Sequence, residues 1–356
     1  MKTVYHLSHT DLDGYSCQLI MQSTPYKVYS YNANYGAEVL ERLNQIIEAI
    51  TNSSDDEILI LISDLNLYPD EAKSLDNSVK KLSLAGRNIK IQLLDHHGSG
   101  EKTAQQYDWY YLDTNRSATK ITYEYAKENF EFDEPSWMSS YVDVVNAVDL
   151  WIQNEHDNFE YGKVCMRLIN ETRELNRIIF SAEDRHYKLS LLSKAAEMVH
   201  EEEANIKLDE KIHMMKKDYF KDDKNDTLDN LSTKRIVSLL GDKRKEMTIY
   251  YKGYKGFLSY SIGNTSIIGN GFLTTYDEYD FIVDIGPRGT MSFRANDKVN
   301  VATISKEWAN GGGHPNAAGG RIQGFKEQFR YDKVKEQIQN LIDKKESVAG
   351  ELEPKS

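Results

Sequence analysis

The sequence predicts an α/β protein in which an N-terminal domain on a parallel sheet is joined by a helical connector to a smaller α/β C-terminal domain. Two observations carry this. Short apolar runs alternate with helical patterns through the first hundred residues or so, the mark of a parallel sheet. Strand-like segments then return in the last third of the chain, after a long charged stretch of helical periodicity. The expected boundaries are 1–184 for the first domain, 185–235 for the connector, 236–345 for the second domain and 346–356 for a tail.

In chain order, "TVYHLS" (3–8), "EILILIS" (57–63) and "IKIQLL" (89–94) read as buried strands with helices between them. From about residue 185 to 220 apolar residues recur at helical spacing among many charges, which read as a solvated helix face without chemical role. "KDDKNDTLDN" is a polar break. "MTIYYKG", "GFLSYSIG", "YDFIVDI" and "TMSFRA" follow as strands, then a helix near "VATISKEWA" and the glycine cluster "NGGGHPNAAGG". No internal repeat is visible, and the tail "GELEPKS" is expected to be disordered.

At 356 residues and 40% apolar content the chain can fill two cores. Its formal charge of -12 excludes a protein that coats long nucleic acid, which needs a basic face, but allows small anionic ligands if cations are recruited locally. Two cysteines, Cys17 and Cys165, exclude a disulfide framework or a cysteine-rich zinc site and fit a reducing compartment. No apolar run resembles a signal peptide or reaches membrane-spanning length, so a soluble cytoplasmic protein without membrane partners is expected.

Chemistry is concentrated where the early strands end. The first strand runs into His9, Asp11 and Asp13, the second into Asp64, and the third into Asp95, His96 and His97. A fourth apolar segment, "YVDVVNAVDLW", delivers Asp149. In open α/β sheets the functional crevice lies beyond the carboxyl ends of the strands, so these groups should converge. Any one of them alone is more often a cap or a satisfied polar residue. Together, several carboxylates without cations would repel one another and be costly to desolvate, so the set implies bound metal. Aspartate with imidazole suits Mn²⁺, Mg²⁺ or Zn²⁺.

These segments, "HTDLDG", "LISDLNL", "LDHHGSG" and "VVNAVDLW", together resemble the four motifs of the DHH phosphoesterase family. "SFRA" and "GGGHPNAAGG" resemble its associated C-terminal substrate domain. The resemblance implies two α/β domains with the active site in the cleft between them, and hydrolysis of phosphoester bonds with two divalent metal ions, usually Mn²⁺, with Mg²⁺ or Co²⁺ as substitutes. It implies that His9, Asp11 and Asp64 hold one ion, and that Asp13, Asp64, His96 and Asp149 hold the other. His97 would face the scissile phosphate, and Asp95 would orient an imidazole from behind. The first motif here is His-x-Asp-x-Asp-Gly where many members have His-x-x-x-Asp-x-Asp, a shorter form similar to the RecJ-like and oligonucleotide-degrading branches. An extended segment through His9, Asp11 and Asp13 would turn all three to one side, with Gly14 permitting a sharp exit into the next helix.

Around "DTNRSATK", Asn115 or Ser117 reads as a helix N-cap, and Ser117 matches the family's "S-A-T" helix start near the active site. In the second domain, Gly312 and Gly313 with His314 are expected to bring donors to a phosphate, and Arg294 matches the family's substrate-contacting arginine. Arg288 and Arg321 fit surface positions equally well. No oligonucleotide-binding barrel is evident, so the expected substrate is a short oligoribonucleotide or dinucleotide cleaved to 5'-mononucleotides, with a few of the 23 tyrosines stacking on bases. The alternatives are a 3'-phosphoadenosine 5'-phosphate phosphatase, a phosphodiesterase for cyclic mono- or dinucleotides, and a catalytically silent nucleotide-binding regulator. A homodimer is left open.

Overall fold

The computed structural model describes residues 2–352. The chain begins β1 (Thr3–Ser8), α1 (Leu12–Met21), β2 (Lys27–Asn32), α2 (Ala37–Asn52), β3 (Glu57–Ser63), α3 (Pro69–Leu84), β4 (Asn88–Asp95), α4 (Glu101–Ala104) and β5 (Tyr110–Leu112). Helices α5 (Ala118–Asn129), α6 (Met138–Asp149) and α7 (His156–Glu171) follow. The strand order is β2-β1-β3-β4-β5, with every pairing parallel. The three strands legible in the sequence form the middle of this sheet. The edge strands are invisible to the apolar pattern, since β2 alternates exposed and half-buried residues and β5 is only three residues long.

Continuous apolar text in "EILILIS" has a simple cause, because an interior parallel strand is covered on both faces. Ile58, Ile60 and Ile62 cluster with Val39 and Leu43 of α2 and Leu75 of α3 on one face. Leu59 and Leu61 cluster with Ile20 of α1, Ile121 of α5 and Val142 of α6 on the other. Polar residues enter the core near the carboxyl ends of the strands. His6 Nε2 lies 2.7 Å from Ser63 Oγ, and Ser8 Oγ donates to the Gly14 carbonyl at 2.8 Å, tying β1 to the helix that follows.

The link from β1 to α1 corrects the expectation of an extended segment through three ligands. The strand stops at Ser8, Asp11 is the N-cap of α1, and Asp13 sits in its first turn. The Asp11 side chain accepts the Gly14 N–H at 3.0 Å, so an unsatisfied helix donor is met by the residue that could have prolonged the strand. Gly14 is not a sharp exit but a point of contact, since a Cβ there would lie 2.4 Å from the His9 carbonyl oxygen.

The chain continues through α8 (Ser181–Glu197), α9 (Ala204–Phe220), α10 (Leu228–Asp242), α11 (Arg244–Met247), β6 (Thr248–Tyr251), β7 (Tyr254–Tyr260) and α12 (Thr265–Thr275). It ends β8 (Phe281–Ile285), β9 (Thr290–Ala295), α13 (Val301–Ala309), β10 (Gly312–His314), β11 (Ala317–Arg321) and α14 (Tyr331–Leu352). A six-stranded mixed sheet of order β10-β11-β9-β8-β7-β6 results, in which β7 and β8 alone pair in parallel, through the α12 crossover. The glycine cluster, expected to bring donors to a phosphate, forms the β10–β11 hairpin. Glycines carry no side-chain periodicity, so backbone pairing alone reveals that strand.

Two compact units are present, residues 1–172 with 186–215, and residues 173–185 with 216–356. The charged helices expected as a connector over 185–235 are shared between them. Their charges do not form a simple solvated face: in α8 Tyr187, Leu191, Leu192 and Ala195 are fully buried, and Asp184 and Lys188 are largely buried too. These residues fall on one broad face of the helix, so two of its charged residues share the buried face with the apolar ones. Residues 353–356 of the expected tail lie outside the described residues, while α14 enters that tail as far as Leu352. Among the described residues no helix is long and apolar enough to cross a membrane, and Cys17 and Cys165 are free and buried.

Gly14→Ala should lower stability in urea titration by about 1–3 kcal/mol, the usual cost of overpacking against a rigid neighbour. An unchanged midpoint would mean that the β1–α1 link yields easily.

Candidate metal centre

The expected convergence is present within the first unit. His9 and Asp11 follow β1, Asp13 lies in the first turn of α1, Asp64 follows β3, Asp95 ends β4 with His96 and His97 behind it, and Asp149 ends α6. β1 and β3 are neighbours on either side of which the chain's strand order diverges, so the site occupies the switch point of the sheet. Asp64 leaves β3 in the left-handed region, at φ 57°, a conformation that aspartate tolerates better than most residues. Its N–H still donates to the Leu94 carbonyl at 3.1 Å, one step past the β3–β4 ladder.

Asp64 spans the site with two different oxygens. Its Oδ2 is 3.6 Å from His9 Nδ1, and its Oδ1 is 3.4 Å from His96 Nε2. His9 Nδ1 also stands 2.9 Å from Asp11 Oδ2, and His96 Nε2 stands 3.5 Å from Asp149 Oδ2 and 3.6 Å from Asp13 Oδ2. Two sets therefore form, His9 with Asp11 and Asp64, and Asp13 with His96 and Asp149, each with its ligand atoms within 4.8 Å of one another. A third set joins Asp64 and His96 to His97.

Asp13 is the most firmly held. Its carboxylate accepts the N–H groups of Ala118 and Thr119 at the start of α5, each at 2.8 Å. An anion is stabilised there by unpaired backbone donors and the helix dipole. Ser117 is buried and turned the other way, its Oγ accepting the Lys120 N–H at 3.3 Å as the N-cap of α5. Its segment thus contributes backbone donors to the site, and the Ser117 side chain has a capping place rather than a substrate-facing one.

Electrostatics at the cluster favours a bound cation. Burial, reinforced by the charges of Asp11 and Asp13, pushes the Asp64 carboxyl well above the usual range. Burial and the neighbouring Asp13 raise Asp149 to about 8. Burial opposes charge on His9 too, yet Asp11 and Asp64 outweigh it and raise the imidazole to about 9. Burial would raise Asp11, but His9 and the Gly14 N–H hold it at about 2. Asp64 Oδ2 and Asp149 Oδ2 are buried and accept no hydrogen bond from the described residues. Carboxylates forced to hold protons, with oxygens left unpaired beside imidazole nitrogens, fit divalent ions that take carboxylate and imidazole ligands.

His97 is arranged differently from His96. Its Nδ1 lies 2.8 Å from Oδ1 of the fully buried Asp95, whose Oδ2 accepts the Tyr110 hydroxyl at 2.6 Å. Asp95 thus orients the second imidazole, and Tyr110 steadies Asp95. Tyr35, on the loop between β2 and α2, packs its ring on His9 with centroids 4.6 Å apart and reaches His97 with its hydroxyl. Neither tyrosine is marked by any sequence motif, and only their placement among many other tyrosines reveals them.

Arg294, Gly312, Gly313 and His314 belong to the second unit. His314 on β10 pairs with Ala317 on β11, which pairs with Arg294 on β9. Directly opposed residues share a sheet face, so the Arg294 and His314 side chains flank one small residue about 9–10 Å apart. Arg294 Nη2 donates to Ser266 Oγ at 2.6 Å, in the first turn of α12. His314, Gly312 and Gly313 are exposed.

No protein-family model matches the chain. A 3',5'-cyclic-nucleotide phosphodiesterase of Helicobacter pylori (strain ATCC 700392 / 26695) is 44% identical over 346 residues, covering 96% of this chain and 99% of that protein. The crystal structure of an uncharacterized protein from Helicobacter pylori G27 matches with a TM-score of 0.89 at 44% identity, over 96% of this chain and all of that one. RecJ of Thermus thermophilus, solved with Mn²⁺, matches at 14% identity with a TM-score of 0.32, over 98% of this chain and 52% of that one, too low a likeness to carry weight.

Cation binding must expel the protons that His9 and Asp149 hold up to about 9 and about 8. The rise in melting temperature on adding Mn²⁺ should therefore grow as pH increases from about 6 to 9, with proton release measurable by calorimetry in two buffers. Protection independent of pH would contradict these protonation states.

Proposed function

We propose that the chain, which shares its family with the Helicobacter pylori phosphodiesterase and resembles the DHH phosphoesterases in its motifs, is a divalent-metal phosphodiesterase that opens 3',5'-cyclic nucleotides to nucleoside monophosphates. The observation that carries the metal-dependent reading is Asp64, one oxygen turned to His9 and the other to His96, joining two ligand sets through one carboxylate. The name of the Helicobacter pylori relative, together with 44% identity along nearly the whole of both chains, supports the cyclic substrate.

His9, Asp11 and Asp64 would hold one ion, and Asp13, Asp64, His96 and Asp149 the other. Mn²⁺ is the ion we favour, with Mg²⁺ or Co²⁺ as substitutes, because the donors are carboxylate and imidazole without thiolate. Such a pair of ions supplies activated water and neutralises charge on the phosphoryl oxygens. The chain's own contribution is geometric. Asp13 is pinned by α5, Asp64 by the strained end of β3, and His97 by Asp95, so the ligands and the His97 imidazole are placed before substrate arrives. Arg294 offers a fork suited to phosphate, with His314 on the same sheet face.

Adenosine 3',5'-cyclic monophosphate, a linear diadenylate and 3'-phosphoadenosine 5'-phosphate should be compared with Mn²⁺ present. The cyclic substrate is expected to give the highest kcat/KM. Preference for the linear dinucleotide would return the assignment to short oligoribonucleotides, and preference for the third would make the protein a phosphatase. Inertness toward all three despite bound metal would favour a silent regulator.

Two variants should separate the roles. Asp64→Asn, which tolerates the left-handed backbone, should lower turnover by more than the ~10–100-fold typical of losing an outer partner of a metal site, and should weaken Mn²⁺ protection. Arg294→Ala should raise KM by about 10-fold or more, the value of a charge-assisted hydrogen bond, with Mn²⁺ protection intact. Equal loss of metal from both would overturn this division.

A further inference from the structure

Tyr35 touches both imidazole-bearing segments of the site. Its ring lies on His9 with centroids 4.6 Å apart, and its hydroxyl is 2.9 Å from His97 Nε2 against 3.4 Å from Nδ1. The other end of the His97 ring decides what this contact is. Asp95 is fully buried and accepts three hydrogens: the Tyr110 hydroxyl at 2.6 Å on Oδ2, and on Oδ1 the His97 backbone N–H at 3.2 Å and its Nδ1 at 2.8 Å. A carboxylate so placed selects the tautomer with the proton on Nδ1, leaving Nε2 a bare acceptor. The Tyr35 phenol, protonated at neutral pH, is then the donor to Nε2.

We propose that Tyr35 is a positioning residue of the hydrolytic site, which holds the His97 ring from its Nε2 edge in the tautomer that Asp95 selects from the other. Tyr110, Asp95, His97 and Tyr35 form one hydrogen-bonded chain from the interior to the surface. Without its outer member the ring is fixed at one nitrogen only and can rock about that bond. Tyr35 is 43% exposed and precedes Gly36, whose φ is 88°, so the outer anchor sits on the loop side of the site. This role rests on the phosphodiesterase reading above.

The test is Tyr35→Phe, which keeps the ring on His9 and removes only the hydroxyl. In the full chain loaded with Mg²⁺ and labelled with ¹⁵N-histidine, the His97 Nε2 resonance, assigned from its loss in His97→Gln, should move downfield while Nδ1 stays put. On the cyclic substrate kcat should fall about 10-fold with KM within about 2-fold, the pattern of lost ring placement rather than lost substrate binding. Mn²⁺ protection should be unchanged.

A stationary Nε2 signal would overturn the proposal. So would wild-type kcat, a rise in KM alone, which would make Tyr35 a direct substrate contact, or loss of metal protection, which would tie it to His9 instead. A wild type inert toward every phosphodiester would fail the parent reading alone, and the His97 signal would then decide the Tyr35 contact by itself.

Discussion

Like-charge repulsion is the constraint around which the first unit is built. Asp11, Asp13, Asp64 and Asp149 converge on two imidazoles, and a flexible chain would let them separate into water. The parallel sheet prevents that. β1, β3 and β4 are locked in register, so the residues that follow them cannot move apart without breaking ladder hydrogen bonds. Burial, together with what remains of the repulsion, raises the protonation of Asp64 and Asp149, an unfavourable state that cations relieve.

The fold offsets this cost locally and unevenly. Asp13 receives two backbone donors from α5, and Asp11 receives one from α1. Asp64 keeps an unpaired buried oxygen and a left-handed backbone, so strain and unmet hydrogen bonding concentrate on the residue that serves both ligand sets. The histidine doublet is divided in the same way. His96 points its Nε2 at three carboxylates, while His97 turns its Nδ1 to a single buried one, as expected of adjacent side chains that leave a strand end in different directions.

Much of this was legible in the sequence. Interior strands announce themselves by unbroken apolar runs, and the acidic and histidine residues at their ends identify the candidate ligands before any coordinates are known. The reading failed where side-chain pattern stops carrying the signal. β2 and β5 are edge strands, the β10–β11 hairpin is glycine-rich, and α8 combines a charged composition with a buried position. The segment after β1 was misread because Asp11 can serve equally as a strand residue or a helix cap, and only the Gly14 N–H it accepts decides between them.

By itself the sequence determined an α/β protein with a set of carboxylates and imidazoles at strand ends, because hydrophobic runs and residue chemistry are local properties. Tertiary structure alone decided which atoms meet. That Asp64 divides its oxygens between His9 and His96, that the start of α5 offers backbone donors to Asp13, and that Tyr35 and Tyr110 bracket the His97–Asp95 pair all depend on contacts between residues far apart in the chain. Hydrogen bonds and charge interactions act over a few ångströms of space, and only the packing of the sheet and its helices brings those residues within that range.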